Sequence, residues 1–261
     1  MIRALWTAGT GMEAQQINLD VVANNLANVN TVGFKKSRAA FQDILYQAGK
    51  KAGTETSSGN QVPVGVEVGM GSRIMATTKM FTQGDFKQTD NPYDWVIEGD
   101  GFFQLLDETG RTVYSKAGSF MTNKDGVLVN PEGLKLSPQV TIPQAAVKFQ
   151  ILQDGTWTAT DAVENKVASG RVQLARFINP AGLKSIGRNL YDVTDASGAA
   201  VTGNPGDTGF GTITQNAIEM SNVNVVDEMV QMIAGQRAYE MNTKSIQTAD
   251  QILQMISNLK R

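Results

Sequence analysis

The chain has 261 residues, with 23 basic and 25 acidic side chains and neither histidine nor cysteine. Zinc, haem and thiol chemistry therefore lose their usual ligands and nucleophiles, and we expect no metal site, no cofactor and neither metal nor redox catalysis. The net charge of −2 provides no attraction to nucleic acid, and no apolar run is long enough for a membrane span, so neither is an expected partner.

The first predicted element is an amphipathic helix over residues 2–30. Positions spaced alternately by three and four residues form a heptad pattern that predicts a coiled-coil interface. The interface residues predicted here are Ile2, Leu5, Met12, Gln16, Leu19 and Leu26. Gly9 and Gly11 together cost about 2 kcal/mol relative to alanine, so this helix should be unstable until a partner covers its apolar stripe. No strand precedes these glycines, which disfavours a dinucleotide-binding loop.

After the first helix, Asn28, Asn30 and Gly33 favour a turn. Polar residues 47–61 hold too few apolar side chains to order themselves and predict a long loop or an arm. Alternating Val64, Val66 and Val68 then predict a strand. We expect 31–84 and 190–221 to form an extended β-hairpin connecting region that includes the polar arm 47–66.

Residues 85–189 consist of short apolar runs separated by turn signals, a pattern typical of an antiparallel β-domain. Acidic side chains at the ends of these runs are most simply solvated surface. Two other functions stay open: a carbohydrate-active enzyme that uses a carboxylate pair, and a free-standing binding module. The candidate carboxylates are Asp94, Glu98, Asp100 and Asp107.

The last predicted element is a helix over residues 225–259, with Asn224 as its N-cap and two acidic residues in its first turn. Its predicted interface residues are Val225, Met229, Met232, Gln236, Tyr239, Ile246, Leu253 and Ile256. Residues 1–30 and 222–261 should therefore pair as a terminal coiled-coil domain, shared among copies or internal to one chain. The expected fold class is α+β, with long terminal helices, the β-hairpin connecting region and a central antiparallel β-domain.

Three segments resemble the bacterial flagellar axial proteins, the family of rod and hook subunits. The first is Ala23 to Lys35, the second is Gly101 to Gln104 with Tyr114 to Phe120, and the third is Glu219 to Val225 with Gln236 to Asn242. The residues that carry the resemblance are Asn24, Asn25, Leu26, Asn28, Gly33, Phe34, Gly101, Phe102, Phe103, Ser221, Asn222, Val223, Gln236, Arg237 and Tyr239.

The length, the first six residues and the polar insertion most resemble the distal rod members of this family, with proximal rod members next. The resemblance implies a helical homopolymer that forms a rigid hollow drive shaft across the periplasm in the flagellar basal body. Implied partners are other copies of the chain, proximal rod proteins, the hook protein, the periplasmic and outer-membrane ring proteins, and the flagellar type III export apparatus. Export by that apparatus agrees with the absence of a cleavable signal in the first residues.

Overall fold

A computed structural model describes residues 2–50, 64–107 and 109–259. The chain divides into two compact units: residues 1–27, 37–79 and 224–261 form the first, and residues 28–36 and 80–223 form the second. Within the described residues, no helix combines the length and apolar character that a membrane span requires.

The first unit holds both long helices, as the sequence predicts. Helix α1 spans Ile2–Ala27 and helix α2 spans Val225–Leu259. The Asn224 side chain accepts a hydrogen bond of 3.0 Å from the Val226 amide, which caps α2 where the sequence places its start. Helix α1 ends before residue 30, because the asparagine-rich segment from Asn28 forms turns instead.

The two helices pack against each other in antiparallel fashion. Early residues of α1 meet late residues of α2: a Cβ at Gly11 would lie 3.0 Å from Asn242, and one at Gly235 would lie 3.0 Å from Leu19. Small or polar residues at seven-residue intervals form the α2 side of this contact, namely Glu228, Gly235, Asn242 and Ala249. The contact is therefore close, but it buries few large apolar side chains. A supercoiled coiled coil shared among copies stays a prediction.

Four strands complete the first unit: β1 (Ser37–Asp43), β2 (Tyr46–Lys50), β3 (Val66–Gly69) and β4 (Ser72–Lys79). Strand β1 pairs with β4 and β2 with β3, both antiparallel, so the segment is one long hairpin. The prediction that residues 47–61 cannot order themselves is wrong for 47–50, because backbone pairing with β3 orders them without apolar side chains. The rest of that predicted arm, residues 51–63, lies outside the described residues.

The second unit is almost entirely β-structure. Its strands are β5 (Phe86–Gln88), β6 (Trp95–Glu98), β7 (Phe102–Leu106), β8 (Thr112–Ser115), β9 (Met121–Thr122), β10 (Leu128–Val129), β11 (Lys135–Ser137), β12 (Lys148–Ile151), β13 (Thr156–Thr160), β14 (Lys166–Arg171), β15 (Leu174–Arg176), β16 (Lys184–Gly187), β17 (Leu190–Asp192), β18 (Val201–Gly203), β19 (Thr212–Gln215) and β20 (Ala217–Glu219). A short 3-10 helix spans Pro180–Gly182.

The strand pairs of the described residues are antiparallel, and the largest sheet has the order β16-β17-β8-β7-β11-β10-β9. Strand β15 also pairs with β7, and β18 pairs with β15. Strands β12, β13 and β14 form a second sheet. The α+β class is thus confirmed. The three-part division predicted from the sequence stays a prediction, although β17, β19 and β20 pair with β8, β6 and β5 within this unit.

Aromatic side chains dominate the core of the second unit. Trp95 is completely buried and stacks on Phe149 with 5.8 Å between ring centroids, and Phe103 and Phe120 pack edge to face at 5.2 Å. Gly118 permits this packing, because a side chain there would strike the Trp95 carbonyl. Each large aromatic residue buried in this way stabilises the unit by about 3 kcal/mol, so the second unit has a substantial core of its own.

Candidate functional site

The surface and junction residues of this chain are the candidates for function, and the first junction centres on Asn25. Its amide group donates to the Ser37 carbonyl at 2.9 Å and to Glu228 Oε2 at 3.1 Å, and its oxygen accepts from the Ser37 amide at 2.9 Å. Asn25 and Glu228 are both buried. One signature residue thus joins the end of α1, the start of β1 and the first turn of α2 within the first unit.

The second junction is a buried ion pair in the second unit. Lys35 Nζ lies 2.6 Å from Glu219 Oε1, and the two residues are 0 % and 1 % exposed. The ammonium also donates to the Thr82 carbonyl at 2.7 Å, and the same carboxylate oxygen accepts from the Gly84 amide at 2.9 Å. A buried pair of this kind is costly to break, because the remaining charge keeps its desolvation cost. The pair therefore fixes residues 28–36 against β20.

Asn222 extends this junction by bridging backbone groups. Its oxygen accepts from the Lys36 amide at 2.8 Å, and its amide group donates to the carbonyls of Met80 at 2.9 Å and Thr82 at 3.1 Å. Gly33 has a positive φ of 69°, and a Cβ there would lie 2.7 Å from the Ala117 amide nitrogen. These contacts explain why the signature segments need asparagine and glycine at these positions.

A second buried lysine lies beside this ion pair. Lys116 is 5 % exposed, and its Nζ donates to the Gly99 carbonyl at 2.8 Å. Burial, with a smaller contribution from Lys35, lowers the pKa of Lys116 to about 8, against the opposing effects of Glu219 and Asp100. Burial, together with Glu219, also raises the pKa of Tyr191. Two buried cations thus share one buried anion in this part of the second unit.

The N-terminal half of α2 presents a broad apolar surface opposite the side that contacts α1. Val226, Val230 and Ile233 are 68 %, 60 % and 56 % exposed. They lie at i, i+4 and i+7, which places them on one face of the helix. We name this the outer face of α2. Apolar patches that a folded chain leaves uncovered mark interaction sites.

The structure separates the predicted interface residues into two groups. Those half-buried within the first unit are Leu5, Met12, Leu19, Leu26, Met232 and Ile246. Those that stay exposed are Gln16, Val225, Met229, Gln236, Tyr239, Leu253 and Ile256. The side chain of Ile2 lies outside the described residues. Their role between subunits stays a prediction.

Sequence reasoning missed the outer face and both buried junctions. The outer face did leave a signal in the sequence, the i, i+4, i+7 spacing of apolar residues at 226, 230 and 233. The heptad positions assigned to this helix do not include these three residues. Lys35, Glu219 and Glu228 left no local signal, because their partners lie far away along the chain.

The remaining signature residues have different surroundings. Phe34, Phe102, Phe103 and Val223 are buried apolar side chains, and the Ser221 hydroxyl accepts a hydrogen bond of 3.3 Å from the Val223 amide. By contrast, Gln236, Arg237 and Tyr239 are exposed. Among the described residues, the one side-chain partner of Arg237 is Glu240 on its own helix, in an ion pair of 2.9 Å. Stability of the single chain does not account for these three exposed residues.

Three of the four carboxylates considered for catalysis have structural partners, and the fourth, Asp100, is exposed. Asp94 accepts from Asn91 at 3.0 Å, Glu98 from Thr214 at 2.8 Å, and Asp107 from Thr109 at 3.2 Å. Within the described residues, no cluster of three acidic side chains could hold a metal ion. These carboxylates therefore serve strand ends and turns.

Comparison with known families assigns the class of protein. Residues 5–35 match the family described as flagella basal body rod protein, residues 96–159 match the flagellar hook protein FlgE/F/G D1 domain, and residues 214–259 match the flagellar basal body rod FlgEFG protein C-terminal region. The three matches include each segment that carried the resemblance. They define a class of structural flagellar proteins, not of enzymes.

Similarity to individual proteins identifies the family within this class. The chain is 44 % identical over 264 residues to flagellar basal-body rod protein FlgG of Borreliella burgdorferi, with all of both chains covered. It is 46 % identical over 261 residues to the FlgG of Caulobacter vibrioides, with 99 % of this chain and all of that one covered. The hook protein FlgE of Helicobacter mustelae is 42 % identical over 134 residues, which is 51 % of this chain and 30 % of that protein. The chain belongs to the flagellar basal-body rod protein family, and it is a structural subunit of the rod.

Proposed function

We propose that this chain polymerises helically into the distal rod, a rigid hollow shaft that transmits motor torque to the hook and lets exported subunits pass. The proposal extends the family assignment from a rod subunit to its position and mechanical role. Other copies of the chain are the main partners, followed by proximal rod proteins, the hook protein, the surrounding ring proteins and the type III export apparatus.

The observation that carries this proposal is the outer face of α2. Burying a valine or isoleucine side chain stabilises a structure by about 1.5–3 kcal/mol, so the three residues of this face represent several kcal/mol that the single chain leaves unused. Val225 and Met229 beside them are 39 % and 51 % exposed. A neighbouring copy whose apolar surface covers this face would recover that free energy.

Helical growth requires a contact that does not close on itself. When a surface of one subunit binds a different surface of the next, repetition produces an open filament unless the rotation closes a ring. The outer face of α2 is one such surface. The exposed side chains of the β1–β4 hairpin, among them Phe41 and Met75 at 44 % and 71 % exposure, offer a chemically matching second surface.

The polymerisation of purified full-length protein tests this function. We expect a sharp concentration threshold in sedimentation, above which the pellet contains tubular filaments with helical symmetry under the electron microscope. A chain that stays monomeric at millimolar concentration, or that forms only amorphous aggregate, would refute the proposal.

A further inference from the structure

The second unit contains a pocket of about 140 Å³ in the region of strand β15. Phe81, Phe102 and Phe177 line it, and their rings pack edge to face, with 5.4 Å between the centroids of Phe81 and Phe102 and 5.5 Å between those of Phe102 and Phe177. The volume equals that of about four to five liquid water molecules at roughly 30 Å³ each, which is enough for a carboxylate group and a small apolar body.

Two cations, Lys116 and Arg176, also line this pocket. Among the described residues the Gly99 carbonyl is the only hydrogen-bond acceptor of Lys116, so two of the three ammonium donors have no acceptor there. The ammonium also lies 5.7 Å from the centroid of the Phe102 ring. The side chain of Arg176 makes no hydrogen bond or ion pair with any described residue, although its backbone belongs to the β15–β18 pair. The carboxylate in the lining, Asp100, is exposed and forms no ion pair with either cation in the described chain.

The charges around Lys116 favour an added anion. Glu219 bonds directly to Lys35, and it is the one buried anion among the residues whose charges act on Lys116. The low pKa of Lys116, about 8, reflects the cost of keeping its charge away from water. An anion within hydrogen-bond distance would offset that cost, and a planar carboxylate also matches the fork of an arginine.

We propose that this pocket binds a carboxylate, with Lys116 and Arg176 as its hydrogen-bond donors and the three phenylalanines in contact with its apolar part. Two sources share this chemistry: a free small carboxylic acid, and an aspartate or glutamate side chain of a second copy of the chain. The second source rests on the proposed function, because it requires the chain to assemble.

Benzoate is the probe for the binding step, because it joins a carboxylate to an apolar ring. We expect titration of full-length protein, below its assembly threshold, to shift the NMR signals of the Gly101 and Phe102 amides saturably. Lys116→Met and Arg176→Gln should each weaken benzoate binding at least tenfold, whereas Lys116→Arg should bind nearly as the parent does. Lys124→Met removes an exposed charge outside the pocket and should change nothing.

The pH dependence separates binding from a merely structural role. Affinity of the parent should fall severalfold between pH 7 and pH 9 as Lys116 loses its proton, while the Lys116→Arg protein should keep its affinity over this range. If the Lys116→Met variant does not fold, the Arg176→Gln variant alone tests the proposal. The Arg176 side chain is exposed, so its substitution should leave the fold intact. Absence of saturable shifts in the parent, or equal affinity in parent and Arg176→Gln, would overturn the proposal.

A second experiment identifies the source of the carboxylate. Sedimentation of the full-length chain with saturating benzoate should raise the assembly threshold if a neighbouring copy supplies the carboxylate. An unchanged threshold together with saturable benzoate binding assigns the pocket to a free carboxylate. The NMR titration needs no polymer, so failure of the proposed function leaves the binding test intact.

Discussion

Glu219→Gln is expected to destabilise the second unit by about 3–5 kcal/mol at pH 7. The substitution removes the one anion that Lys35 and Lys116 share, and both cations are almost fully buried. Urea unfolding followed by tryptophan fluorescence measures this, because Trp95 and Trp157 are buried in the core of the second unit.

The Lys35→Met variant should lose less free energy of unfolding than Glu219→Gln, about 3 kcal/mol. The reason is that Lys116 remains close to Glu219 and offsets the charge of its carboxylate. The asymmetry follows from two cations sharing one anion, and an isolated ion pair would not produce it. Arg171→Met is the matched control: it breaks an exposed ion pair of 4.0 Å with Asp154 and should cost at most about 1 kcal/mol. If the free energy of unfolding of the Glu219→Gln variant lies within about 1 kcal/mol of the parent value, the buried ion pair does not stabilise the second unit.

Ile233→Asp is expected to abolish assembly while leaving the single chain folded. Ile233 is 56 % exposed on the outer face of α2, so the change should alter the stability of the monomer by only about 0.5 kcal/mol. In a polymer the same position would bury an unpaired carboxylate in place of an apolar side chain, at a cost of several kcal/mol. Each 1.4 kcal/mol corresponds to a factor of ten, so the assembly threshold should rise at least 100-fold.

Sedimentation of purified variants and swimming motility of cells that carry them measure this effect. Gln231→Asp introduces the same charge at an exposed position of α2 outside the apolar face, and it should assemble. Ile233→Leu keeps the apolar surface and should also assemble. If Ile233→Asp polymerises at the parental threshold, the outer face does not lie between subunits.

The sequence predicted the elements whose signals are local. Helix α2 begins and ends where its cap and periodicity place it, and Phe102–Leu106 is a strand as its apolar run indicates. Strands such as Lys135–Ser137 and Val201–Gly203 have no recognisable signal of their own, because three residues are too few for alternation to be detected. Pairing with neighbouring strands, and not their own composition, gives these short segments their strand conformation.

The buried polar contacts within each of the two units could not be predicted from sequence patterns. Asn25 and Glu228 are 203 residues apart in sequence, and Lys35 and Glu219 are 184 apart. Nothing local distinguishes these buried polar residues from solvated ones. The heptad pattern emphasised large apolar residues, whereas the close approach of α1 and α2 within one chain uses Gly235 and Ala249 and leaves Val226 and Ile233 exposed.

Hydrogen exchange on dilute monomer and on sedimented polymer tests the central claim, that assembly stabilises the helices while the second unit is stable by itself. The buried apolar residues of the helices include the small side chains Ala8, Ala14 and Ala249, so their pairing is expected to be marginal in one chain. We predict rapid exchange of α1 and α2 in the monomer, strong protection of both in the polymer, and protection of β6, β7 and β8 in both states. Strong protection of the helices already in the dilute monomer would contradict the account, because the terminal helices would then form a finished domain that needs no neighbouring subunit.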